Sequence, residues 1–181
     1  MKSVLYSSLF LLMVFACSGP EKNTGKELIT VSILPQAYFV EKLAGDLVEV
    51  NVMVPKGASP ATYDPGMAQL AGLEKSIRYI QVGELGFEIG WMDRIRKINP
   101  EMKVLNLSLE IDLIETHADS EHEHHGHEEL HAHQHGRSDP HIWMSVVNAY
   151  PIANIIHREL LEIFPDKRRE LESNFQLHVH P

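Results

Sequence analysis

Eight histidines, four glutamates and one aspartate crowd into positions 117–135, HADSEHEHHGHEELHAHQH. Imidazole is a borderline ligand suited to zinc, copper, nickel and cobalt, so His122, His124, His125, His127, His131, His133 and His135 are candidate metal ligands. Such density offers many alternative sites and little selectivity for one metal; the plain alternative is a solvated polar linker. No apolar period runs through the segment, which reads as a low-complexity loop. Within it, His127-Glu128-Glu129-Leu130-His131 formally matches H-E-x-x-H. That motif carries chemistry only on a buried amphipathic helix, and a composition this rich in His and Glu yields it by chance, so a protease is rejected.

A second cluster follows directly, Asp139-Pro140-His141-Ile142-Trp143-Met144. Pro140 restricts Asp139 to an extended conformation, from which its carboxylate can accept a hydrogen bond from one ring nitrogen of His141 and turn the other toward a metal. A structural histidine in a strand-to-helix turn fits the same spacing equally well. A third segment, GASPATYDP at 57–65, follows an apolar run and lies where open α/β sheets present ligands, at the carboxyl ends of strands. Glu84 and Glu88 fall on that same edge and read foremost as solvated acids at the start of a helix.

The elements that must position these groups alternate. LITVSIL (28–34) is β-branched and continuous, as a buried parallel strand should be, and Pro35 is expected to end it. A helix is expected over 36–45 with Gly45 at its end, a strand over 47–55 and a helix near 67–76. A strand at 78–83, a helix near 87–98 and a strand at 103–108 complete the alternation. Four strands alternating with three helices predict a parallel α/β layer. After the His-rich loop, Ser145 can cap a helix whose main body runs from Pro151 to about Phe164, with Ile152, Ile155, Ile156 and Leu160 on one side. A short amphipathic piece over 166–176 follows, and no internal repeat is visible.

The length of 181 residues excludes a large multidomain enzyme and allows one domain or one and a half. A net charge of −9 disfavours phosphate-rich partners, so no nucleic-acid role is expected. Lys2 and the apolar run 4–16 are too short for a membrane span and suit a signal-peptide core. The single cysteine, Cys17, closes that run after Val14-Phe15-Ala16 and resembles the acylated cysteine of a bacterial lipobox; residues 18–27 suit a tether.

Taken together, VSILPQAYFVEKLAG (31–45), VMVPKGASPATYDPGMAQL (52–70), VGELGFEIGW (82–91), the His-rich loop and DPHIWMS (139–145) resemble the zinc-type solute-binding lipoproteins that feed metal ABC importers. The resemblance runs from about residue 28 to 176. It implies the N-terminal lobe of a two-lobe α/β protein in which metal is held between lobes joined by a long helix, with the helix from about 145 to 165 as the start of that connection. His141 is similar to the ligand of the family's D-P-H-x-W motif. The family's S-P-H-x-Y-x-P loop has Ala61 in place of its ligating histidine, and a loop histidine, a water or Glu84 is expected to substitute.

The expected organisation is a signal peptide at 1–16, anchor and tether at 17–27, an α/β lobe at 28–116, the His-rich loop at 117–138 and the metal-motif segment at 139–181, the second lobe being absent. The implied function is capture of Zn2+, with Mn2+ or another divalent metal as the alternative, for delivery to a membrane ABC permease. The rival is a His-rich zinc-buffering lipoprotein without transport. Neither is an enzyme; a monomer anchored to the bacterial envelope by lipid is expected in both cases.

Overall fold

The computed structural model describes residues 25–111 and 141–179. Two short strands, β1 (Glu27–Val31) and β3 (Arg78–Gln81), form the centre of a four-stranded sheet; β2 (Val48–Val52) and β4 (Lys103–Asn106) flank them in the order β2-β1-β3-β4. All pairings are parallel, with Ile29 opposite Val50 on one side and Arg78 on the other. Ile29, Val31, Tyr79 and Ile80 are fully buried, as central parallel strands covered on both faces require.

Each parallel crossover carries a helix: α1 (Leu34–Ala44) after β1, α2 (Met67–Lys75) before β3 and α3 (Gly86–Ile98) before β4. Right-handed crossovers in opposite directions from β1 place α1 on one face and α2 and α3 on the other. Beyond β4, α4 (Val146–Ile163) and α5 (Arg168–Val179) pack on α1. The parallel α/β layer expected from the sequence is therefore the fold.

One local reading changes: Pro35 does not end a strand at 34. β1 stops at Val31 and Pro35 sits in the first turn of α1, where its missing N–H has no helical partner to lose. At the other end of α1, Gly45 adopts φ 56° and its N–H returns to the Glu41 carbonyl. The helix expected behind Ser145 is α4, which begins at Val146, so Pro151 lies inside it and leaves the Val147 carbonyl without its helical donor. Ser145 precedes the helix but its side chain forms no cap bond. Close to the expected Phe164, α4 ends at Ile163 and the chain turns through Pro165–Lys167 into α5, the expected amphipathic piece, which folds back along α4 and α1.

The buried face of α4 is the one its periodicity predicts, Ile152, Ile155, Ile156 and Leu160. Its far end is braced to the strand starts: buried Arg78 pairs with Glu159 and, at 3.1 Å, with Glu162, which also takes Lys103 at 2.7 Å. The Lys103 ammonium, helped by Arg78, holds the Glu162 carboxyl below the usual carboxylate range. In α5, Leu171 and Phe175 are buried, and Asn174 Nδ2 donates to the Leu43 carbonyl of α1 at 3.0 Å. No helix among the described residues is long and apolar enough to cross a membrane.

Candidate functional site

In a sheet ordered β2-β1-β3-β4 the chain leaves β1 toward one edge and returns to build the other, opening a crevice at the carboxyl ends of β1 and β3. Two helix starts fill it. Gln36, the third residue of α1, accepts from the backbone N–H of Ser32 and Ile33 at 3.0 and 3.1 Å and donates to the Ile80 carbonyl at 3.1 Å, joining the ends of β1 and β3. Glu88, the third residue of α3, accepts from Val82 N at 2.8 Å, Gly83 N at 2.7 Å and Leu85 N at 3.3 Å.

Its fourth partner is the Ser32 hydroxyl. Because Ser32 spends its one proton on that carboxylate, the Tyr79 phenol 2.7 Å away is the donor to Ser32 Oγ. The reading of Glu88 as a solvated acid is thus corrected: it is 1% exposed, reached by donors from both strand ends. Burial pushes its carboxyl up from the ordinary range, opposed by the Ser32 hydroxyl and the three N–H groups. Burial and then the Glu88 charge raise the Tyr79 phenol well above its usual value, which keeps it a neutral donor.

Above this buried network lies a rim. The loop 57–65 is tied to the start of α3 by Phe87 N donating to the Pro60 carbonyl at 3.1 Å and by Trp91 Nε1 donating to Asp64 at 2.9 Å. Gly86 touches the loop so closely that a methyl group there would run into the Ala61 carbonyl. Ala61, exposed, therefore sits beside the turn that carries half-buried Glu84.

The other side of the rim is the turn Ile142–Met144. Buried Ile142 anchors it and Asn148 Nδ2 donates to the Ile142 carbonyl at 3.0 Å. His141 begins the turn, exposed, with its ring 5.1 Å from the Trp143 ring. Trp143 closes a mostly apolar pocket of about 170 Å3 with Ile33, Pro35, Val54, Pro55, Ala58 and Pro60, and Lys56 also lines it. The turn of His141 and the 57–65 loop thus meet around one cavity at the carboxyl edge.

His122, His124, His125, His127, His131, His133, His135, Asp139 and Cys17 lie outside the described residues. Among the described residues no group of three or more His, Cys, Asp or Glu is placed to hold a metal ion. Sequence reasoning named His141, the 57–65 loop and Glu84, which lie on the rim, and did not name Ser32, Gln36 and Tyr79. The available signal was a Gln and a Glu each third in a helix following a strand, the spacing at which a side chain reaches back over the strand end.

The family described as ZnuA, zinc-uptake complex component A, periplasmic, matches residues 29–179. The zinc-binding lipoprotein AdcA of Streptococcus pneumoniae serotype 4 is 28% identical over 179 residues, covering 98% of this chain and 35% of AdcA. The high-affinity zinc uptake system protein ZnuA of Bacillus subtilis is 26% identical over 187 residues, covering 96% of this chain and 57% of that protein. The chain therefore spans from about a third to just over half of these relatives.

A crystal structure of ZnuA superposes with a TM-score of 0.67 at 37% identity, over 82% of this chain and 51% of the other. The Zn(II)-bound ZnuA-like domain of Streptococcus pneumoniae AdcA shares the fold, with a TM-score of 0.61 at 22% identity over 83% of this chain and 49% of that one. With the match running from β1 through α5, the chain belongs to the ZnuA family of solute-binding proteins.

Proposed function

We propose that the chain is the metal-capturing part of an extracytoplasmic zinc-binding lipoprotein that delivers Zn2+ to an ABC permease in the membrane. The observation that carries this reading is the meeting of the His141–Trp143 turn with the 57–65 loop around one cavity at the carboxyl edge, in a chain of this family. The chemistry is coordination and not catalysis. His141 supplies an imidazole, Glu84 a carboxylate where Ala61 offers only a methyl group, and water completes the shell, while the His-rich loop holds further ions weakly. Mn2+ is the second cargo considered, since a Mn-bound periplasmic metal-binding protein from Candidatus Liberibacter asiaticus shares the fold. Acylation at Cys17 would hold the protein, as a monomer, on the envelope.

The rival, a zinc buffer that works through its His-rich loop alone, is favoured by the lack of a three-ligand group among the described residues. Calorimetric titration of the chain with zinc separates the two. Removing 117–135 should abolish the weak, multiple sites and leave binding that depends on His141; His141→Ala should lower that remaining affinity at least tenfold. Complete loss on loop removal would establish the buffer.

A further inference from the structure

Resting on the metal-capturing reading above, we infer that Glu88 is a positioning residue for the rim: its carboxylate, held by Ser32, clamps the β3–α3 turn and through that turn sets where Glu84 and the 57–65 loop stand. The argument is geometric. Four donors converge on one carboxylate: Val82 N, Gly83 N and Leu85 N from the turn, and the Ser32 hydroxyl from the end of β1. Glu84 lies between two of those clamped amides, so its backbone is fixed on both sides.

The next residues, Gly86 and Phe87, are the ones against which the 57–65 loop rests, through the Phe87 N to Pro60 bond and the Gly86 contact with the Ala61 carbonyl. One buried side chain thus connects the end of β1, the candidate ligand Glu84 and the loop of Ala61, without itself reaching solvent. The Tyr79 phenol completes the relay from β3 and keeps the Ser32 hydroxyl aimed at the carboxylate. No neutral side chain of the same shape meets all four donors. An amide in place of the carboxylate sets an NH2 group against a backbone N–H, which forces the turn to move.

The test uses the full chain, zinc as the probe and three variants, Glu88→Gln, Ser32→Ala and His141→Ala. Titrations are made at a temperature where far-ultraviolet circular dichroism shows each variant folded. Glu88→Gln should weaken the His141-dependent zinc binding about tenfold, and Ser32→Ala less, as expected for groups that orient a ligand from behind. Backbone amide exchange at Val82, Gly83 and Leu85 should accelerate in Glu88→Gln, a readout that bulk stability does not mimic when distant core amides stay protected.

If the unsubstituted chain shows no zinc binding that His141→Ala removes, the metal-capturing reading fails, and the positioning role with it. His141-dependent binding that persists at full strength in folded Glu88→Gln overturns the positioning role alone. Should Glu88→Gln not fold, folded Ser32→Ala with unchanged affinity and unchanged amide exchange at Val82 and Leu85 overturns it equally.

Discussion

His157 shows how far a single side chain departs from what its type suggests. It is 8% exposed on α4, stacked on Phe175 with ring centroids 4.5 Å apart, and its Nδ1 has no hydrogen-bond partner among the described residues. Burial pushes its titration below the ordinary histidine value; Glu172 opposes this and Arg168 adds to it. The unfolded chain consequently takes up a proton at a pH where the folded chain does not. The contribution is absent above the unfolded value and turns destabilising as the pH falls through it. Melting temperature should therefore drop between about pH 7 and pH 5, and His157→Leu should flatten part of that slope in a pH series of thermal melts. An unchanged slope would place its source elsewhere. His141 stood out in the sequence because Asp139 and Pro140 precede it. His157 and Glu88 were not, because whether a helical His or Glu is buried depends on which elements come to pack on it.

At the scale of elements, alternation of apolar runs identified all four strands and the helices between them, yet every strand is shorter than its apolar run. The reason is visible after Val31. There the Gln36 side chain takes the N–H groups of Ser32 and Ile33, so the apolar character continues while the strand does not. Apolar residues at α4's first turn are exposed, Val146 and Val147 among them, so its start was read from Ser145 and its buried face only from Ile152 onward.

The bracing of α4 to the strand starts supplies the prediction at this scale. Arg78→Leu leaves Glu159, itself mostly buried, without its cation, and should lower unfolding free energy by about 2–3 kcal/mol in urea titrations. Lys103→Ala, at an exposed pair, should change it little. Equal effects of the two substitutions would show that burial does not set the strength of this bracing.

For the whole molecule, the sequence indicated the family and the α/β class, and the comparisons agree with both. The residues outside the described segments hold the proposed anchor, and chemistry can test it without a structure. Mass spectrometry of the protein from its native host should find Cys17 acylated; one acyl chain holds a membrane only marginally and more than one holds it firmly. An unmodified thiol in that position would remove the lipoprotein assignment.

The bond from Asn174 to the Leu43 carbonyl spans 131 residues of sequence, and with it the last described helix closes over the first. The packing of β1 and α1 cannot be completed until Asn174 has been synthesised, because their partner follows them so far along the chain. Until then the face of α1 that α5 covers stays open. The same packing that stabilises the folded domain therefore sets a delay between the making of its first helix and its locking.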